Sequence, residues 1–346
     1  MSQFPLDQLT TTAEAMVANG KGVLAADEST PTCTKRFQNL GIVSSEASRR
    51  DYREMLFTTS GLGEFVSGAI LYDETIRQTA SDGTPIPALL QKQGVLPGIK
   101  VDTGAKPLAG APEEKVTEGL DGLRDRVADY YDLGARFAKW RAVITIGADL
   151  PSRACIEVNA HALARYARLC QEGGLVPIVE PEVLMDGGHD IDRCDEITTA
   201  TLHSVFHALF EQDVALEGIL LKPSMVISGK DCPEQAGVQE VAERTVRCLR
   251  RTVPAAVPGI VFLSGGQSDE AASAHLNAMN VLAGPRPWKL SFSYGRALQD
   301  LAMRRWKGAT ENVGHAQQAL HCRAKFNSAA SRGAYTEQME QELKAA

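Results

Sequence analysis

Lys222 closes an apolar run, Gly218-Ile219-Leu220-Leu221-Lys222-Pro223. An amine at the end of a buried strand is disfavoured as a cation, and a neutral amine is a nucleophile that forms a Schiff base with a carbonyl. Lys139 and Arg141 close a second run, Phe137-Ala138-Lys139-Trp140-Arg141. Glu180 and Glu182 close a third, Val179-Glu180-Pro181-Glu182. Strand residues two apart share a face. Lys139 and Arg141 therefore point together, as do Glu180 and Glu182, and Lys100 and Asp102. Read singly, each is an ion pair at a sheet rim. Ionisable groups closing several strands of one sheet make a site instead: a nucleophile, a neighbouring cation and carboxylates that carry protons.

Short apolar runs alternate with amphipathic stretches, and eight read as strands: Gly22–Ala26, Val66–Tyr72, Gly98–Val101, Arg136–Arg141, Leu175–Val179, Glu217–Leu221, Gly259–Leu263 and Trp288–Ser293. Helical periodicity marks Gly119–Leu133, Arg153–Glu172, Asp192–Glu211 and Gln235–Thr252 between them. The polar residues that end the strands are Asp27, Asp73, Lys100, Lys139, Glu180, Lys222, Ser264 and Ser293, 27 to 46 residues apart. That is the length of a strand, a helix and two loops. Eight such units predict an α/β fold, a (β/α)8 TIM barrel of parallel strands. Helices Leu6–Asn19 and Glu311–Ala329 flank it, with a short helix Arg296–Trp306 after the eighth strand. No linker or composition shift divides the chain, so residues 1–346 are expected to form one domain. The polar stretch from Tyr335 to Ala346 is expected to be a mobile tail.

Two glycine-containing turns follow the last two strands: Leu263-Ser264-Gly265-Gly266 and Ser293-Tyr294-Gly295-Arg296. Loops at these places in a barrel commonly hold phosphate, because glycine exposes backbone N–H groups and arginine adds a planar fork.

Composition narrows the partners. A net charge of −7 argues against general affinity for nucleic acid or an anionic membrane. No apolar run approaches a membrane span, and Met1–Asp7 has neither the basic nor the apolar part of a secretory signal. The seven cysteines (Cys33, Cys155, Cys170, Cys194, Cys232, Cys248, Cys322) include no Cys-x-x-Cys pair and read as reduced thiols of a cytoplasmic protein. His203 and His207 are four apart on one helix, but no third metal ligand lies nearby. Gly61-Leu62-Gly63 precedes a strand where a dinucleotide fingerprint would follow one. Arg247, Arg250, Arg251, Arg304 and Arg305 read as solvated helix faces.

Seven ordered motifs together resemble class I fructose-bisphosphate aldolase: Ala25-Ala26-Asp27-Glu28-Ser29-Thr30, Gly98-Ile99-Lys100-Val101-Asp102, Phe137 to Arg141, Val179 to Glu182, Leu221-Lys222-Pro223, Phe262-Leu263-Ser264-Gly265-Gly266-Gln267 and Ser291 to Ala297. The resemblance runs from about Phe4 to Tyr335. It implies the reversible aldol cleavage of fructose 1,6-bisphosphate to dihydroxyacetone phosphate and glyceraldehyde 3-phosphate, without a metal or other cofactor. By the same resemblance Lys222 forms the Schiff base, Asp27 accepts the C4 hydroxyl proton, and Glu180 is acid and base for the carbinolamine. Lys139 favours the nucleophilic form of Lys222 and steadies developing charge, while Glu182 orients the group. Ser264, Gly265, Gly266, Ser293, Gly295 and Arg296 are implied to hold the C1 phosphate. Lys100, Arg141, Arg36 and Ser29 are implied to meet the C6 phosphate. A homotetramer is the family expectation.

The chain departs from the family at two places. Animal members of the family end in a tyrosine, whereas this chain ends in Ala346 and its last tyrosine is Tyr335. Pro31-Thr32-Cys33 stands where the family has Gly-Ser and a small residue. Two other readings share the same residues. One is an imine-forming barrel for another phosphosugar. The other is a phosphosugar-binding protein that kept the fold. A metal-dependent aldolase would need clustered histidines.

Overall fold

Strand β1 (Gly22–Ala25) pairs in parallel with β2 (Val66–Leu71), and β2 with β3 (Leu96–Lys100). These belong to a computed structural model that describes residues 6–345, so Phe4 and Ala346 lie outside the described residues. An antiparallel hairpin follows, β4 (Gly104–Leu108) with β5 (Ala111–Glu118). The sheet resumes with β6 (Phe137–Ile144), β7 (Val176–Val183), β8 (Leu220–Leu221), β9 (Gly259–Phe262) and β10 (Lys289–Tyr294). It closes in the order β1-β10-β9-β8-β7-β6-β3-β2, an eight-stranded parallel barrel. Helices Arg153–Glu172, Ile191–Glu211, Val238–Thr252, Asp269–Val281 and Arg296–Trp306 cover it. This is the (β/α)8 TIM barrel that the spacing predicts.

Alternation explains both the core and the mouth. Inward residues at the closed end are apolar: Val23, Ala25, Phe137, Ile178, Leu220 and Val261 share one buried cluster with Leu9, Ala13 and Met16. Helix Leu6–Met16 thus plugs that end. Two residues on, the same inward rows turn polar: Ala25 gives way to Asp27, Phe137 to Lys139 and Arg141, Ile178 to Glu180 and Glu182, Leu220 to Lys222. The apolar floor excludes water beneath the charges.

Phe137 fills the floor because β2 and β3 lack side chains opposite it. A Cβ at Gly98 would sit 2.2 Å from the Phe137 ring, and one at Gly68 would sit 2.8 Å away. Gly98→Ala is therefore expected to destabilise the barrel by about 1–3 kcal/mol, the ordinary cost of overpacking. Urea unfolding of the variant checks this, and an unchanged midpoint would show that the floor tolerates the methyl group.

Four features differ from the sequence expectation. Strands β6 and β7 run past their charged residues, pairing Arg141 with Glu180 and Val143 with Glu182, so these groups sit within the sheet. A 3-10 turn, Leu216–Gly218, takes the start of the sixth predicted strand and leaves β8 two residues. The ladder nevertheless reaches the site, since the Lys222 N–H donates to the Val179 carbonyl at 2.8 Å. The β4–β5 hairpin falls where no strand was expected. Lastly, the polar tail forms helix Glu337–Ala345. Glu340 pairs with the buried Arg323 and accepts from the Tyr335 hydroxyl at 2.9 Å, so an ion pair docks a segment whose exposed residues alone suggest a loose end.

Candidate active site

At the mouth of the barrel lies a cleft of ≈ 1080 Å³. At its base four side chains, from β6 and β7 and from the ends of β1 and β8, alternate in charge. Lys139 Nζ lies 2.7 Å from Asp27 Oδ2 and 3.4 Å from Glu180 Oε2. Glu180 Oε1 lies 3.0 Å from Lys222 Nζ. Lys139, Glu180 and Lys222 are each no more than 4% exposed. Burial raises the Asp27 carboxyl, but the charges of Lys139 and Lys222 and the hydrogen bond from Lys139 outweigh it and hold its pKa at about 2. Burial opposes the Lys139 cation, but Asp27, Glu180 and Asp102 raise its pKa above the usual lysine value. Lys139 is thus a fixed cation between two carboxylates, and Glu180 is the carboxylate within proton-transfer reach of Lys222.

Around this base the cleft has two polar walls. On one, Ser264, Gly265, Ser293, Gly295 and Arg296 line the space. Gly265 has a φ of +59°, and Gly295 caps helix Arg296–Trp306. The Ser293 hydroxyl is buried without a hydrogen-bond partner among the described residues. Arg296 is exposed and has no ion pair among the described residues. These unengaged donors suit an anion. Gly266 does not line the cleft; it stands behind Arg296, and a Cβ there would come within 3.3 Å of its guanidinium.

On the other wall every arginine or lysine expected to meet phosphate already has an anion. Lys100 Nζ lies 2.6 Å from Asp102 Oδ1. Arg141 pairs with Glu182, and Arg36 with Glu28 and Asp300. Ser29 caps helix Thr30–Gln38, its hydroxyl 3.1 Å from that of Thr32. Pro31 falls in the first turn of that helix, where no intrahelical N–H bond is lost. Both hydroxyls line the cleft.

All the predicted site residues except Gly266 thus meet at one cleft, and the structure adds others. Glu28 accepts from Arg36, from Arg53 at 3.0 Å and from Gln299 at 3.1 Å. Arg53 also donates to the Ala26 carbonyl at 3.0 Å, and Gln299 to that of Ala25 at 2.6 Å. These contacts fix the chain on both sides of Asp27. Glu28 adjoins a predicted residue, whereas Arg53, Gln299 and Asp300 carry no local signal because they arrive from distant segments. Arg304, assigned to a solvated face, lines the cleft rim. His203 and His207 are exposed on helix Ile191–Glu211. Tyr335 does not line the cleft.

A family model described as fructose-bisphosphate aldolase class-I matches residues 8–346. A protein of Xanthomonas campestris pv. campestris named as a probable fructose-bisphosphate aldolase class 1 is 63% identical, covering 95% of this chain and 98% of that one. The cytosolic fructose-bisphosphate aldolase 6 of Arabidopsis thaliana is 54% identical, covering 95% and 92%. Among solved structures, fructose-bisphosphate aldolase from Plasmodium falciparum, in complex with TRAP and a small-molecule inhibitor, superposes with a TM-score of 0.94 at 51% identity over 95% of each chain.

Proposed function

The chain belongs to the class I fructose-bisphosphate aldolase family, and from that membership we propose which of its residues perform the reversible cleavage of fructose 1,6-bisphosphate through a lysine Schiff base. Lys222 is the nucleophile. It gives a proton to Glu180, and its lone pair adds to the C2 carbonyl, whose oxygen takes up the proton that the nitrogen sheds as the carbinolamine forms. Glu180 then protonates the departing hydroxyl, and water leaves an iminium ion. Asp27 takes the C4 hydroxyl proton as the C3–C4 bond breaks. The bond's electron pair flows into the iminium to form an enamine, and glyceraldehyde 3-phosphate leaves. Protonation at C3 and hydrolysis of the imine release dihydroxyacetone phosphate. Lys139 stays charged throughout and stabilises the carboxylates and the developing alkoxide. Glu182, two residues beyond Glu180 on β7 and paired with Arg141, orients the group.

The observation that carries this reading is the continuous contact from Asp27 through Lys139 and Glu180 to Lys222 on an apolar floor. The wall of Ser264, Gly265, Ser293, Gly295 and Arg296, with Gly266 behind it, takes the C1 phosphate. Lys100, Arg141, Arg36 and Ser29 take the C6 phosphate. The experiment is borohydride reduction with dihydroxyacetone phosphate, followed by peptide mass spectrometry. A reduced adduct on Lys222 is expected; an adduct on another lysine, or none from folded protein, overturns the assignment.

We further infer a cytoplasmic homotetramer built from one barrel domain per chain. The cysteines are all free, no described helix is long and apolar enough to cross a membrane, and two relatives are named as cytosolic or cytoplasmic isozymes. Light scattering of the purified protein tests the assembly.

A further inference from the structure

Arg36 differs from the other ion-paired cations of the cleft in how easily its partners can release it. Its guanidinium pairs with Glu28 and, at 2.7 Å, with Asp300 on helix Arg296–Trp306. Glu28 does not depend on it, because Arg53 and Gln299 also hold that carboxylate. The Asp300 side chain is 33% exposed, so water can take the place of Arg36 there. Departure of Arg36 therefore strands no buried charge. By contrast, the carboxylates that pair with Lys100 and Arg141 are only 3% and 10% exposed. Of the three paired cations on that wall, Lys100, Arg141 and Arg36, an incoming anion recruits Arg36 at least cost.

The recruitment still has an opponent. Phosphate offers a guanidinium a bidentate acceptor with more charge than a carboxylate. To use it, the phosphate must settle beside Asp300, a like charge that also competes for the same guanidinium nitrogen. We propose that Asp300 is a specificity-determining residue: it competes with the second phosphate of the sugar for Arg36 and so reduces the advantage of a bisphosphate over a monophosphate. The proposal rests on the assignment of Arg36 to the C6 phosphate.

The test compares kcat/KM for fructose 1,6-bisphosphate and fructose 1-phosphate in the wild type, Asp300→Asn and Asp300→Ala. Asparagine keeps the shape and removes the charge, while alanine removes both. In each variant the bisphosphate-to-monophosphate ratio is expected to rise about three- to tenfold, mainly through a lower KM for the bisphosphate. The rise should vanish when Arg36→Ala is added, since the effect acts through that side chain. An unchanged or lower ratio, or a rise that persists without Arg36, overturns the proposal. Failure of the wild type to cleave either sugar, with no borohydride adduct at Lys222, refutes the aldolase assignments and this proposal with them.

Discussion

Lys222→Met is expected to lower kcat by about 10⁵-fold or more and to abolish the borohydride adduct, while the protein stays folded. Most of an enzyme's rate advantage disappears with the group that makes its covalent intermediate. Without the imine there is no electron sink for the C3–C4 bond, and no neighbouring amine replaces it. Lys139 is the nearest candidate, but it is held as a cation 2.7 Å from Asp27 and 3.4 Å from Glu180. Stability changes little because methionine nearly matches lysine in volume and Glu180 keeps Lys139 as a partner. A loss of about 1–2 kcal/mol is expected. A coupled assay and thermal melting check the two halves. Activity above about 1% of wild type in pure protein would mean that Lys222 is not the nucleophile, and loss of the melting transition would make the kinetic result meaningless.

The barrel is legible because each strand has a short apolar run and each run ends in chemistry. Alternation then places Lys139 with Arg141 and Glu180 with Glu182 before any coordinates are known. The same rule hides where β6 and β7 end. A charged residue normally marks the edge of a buried strand, but at a barrel mouth the inward positions of a continuing strand are also charged. Only the pairing of Arg141 with Glu180 and Val143 with Glu182 reveals the extension. The network behind Asp27 is hidden for another reason. Arg53 reaches Glu28 across 25 residues and Gln299 reaches it across 271, and such contacts impose no periodicity on either segment. The docked tail is the same case: Arg323 and Glu340 look like surface charges until they meet.

Lys139→Met is expected to damage both activity and stability, and its stability defect is expected to depend on pH. In the wild type Asp27 has a pKa of about 2, below its ordinary value of 3.8. Its ionised form therefore adds stability that is fully present above the ordinary value and is lost as pH falls through about 2. Removing Lys139 takes away the nearest opposing charge and the hydrogen bond, while burial, which raises the pKa, remains. The Asp27 pKa then moves upward, and Glu180 loses one of its two lysines. At pH 7 the variant carries under-compensated buried carboxylates and is destabilised by about 3–5 kcal/mol. Once the folded-state pKa exceeds the unfolded value, folding takes up a proton as pH falls, so the defect shrinks towards pH 4.5. Turnover falls at least about 10³-fold, because the C4 hydroxyl loses a reliably ionised base and the charge chain to Lys222 is broken. Residual activity climbs with pH as Asp27 ionises. Urea unfolding at pH 7 and pH 4.5, with kcat measured across the same range, tests both. A defect equal at the two pH values would mean that Lys139 acts by packing and not by holding Asp27 ionised.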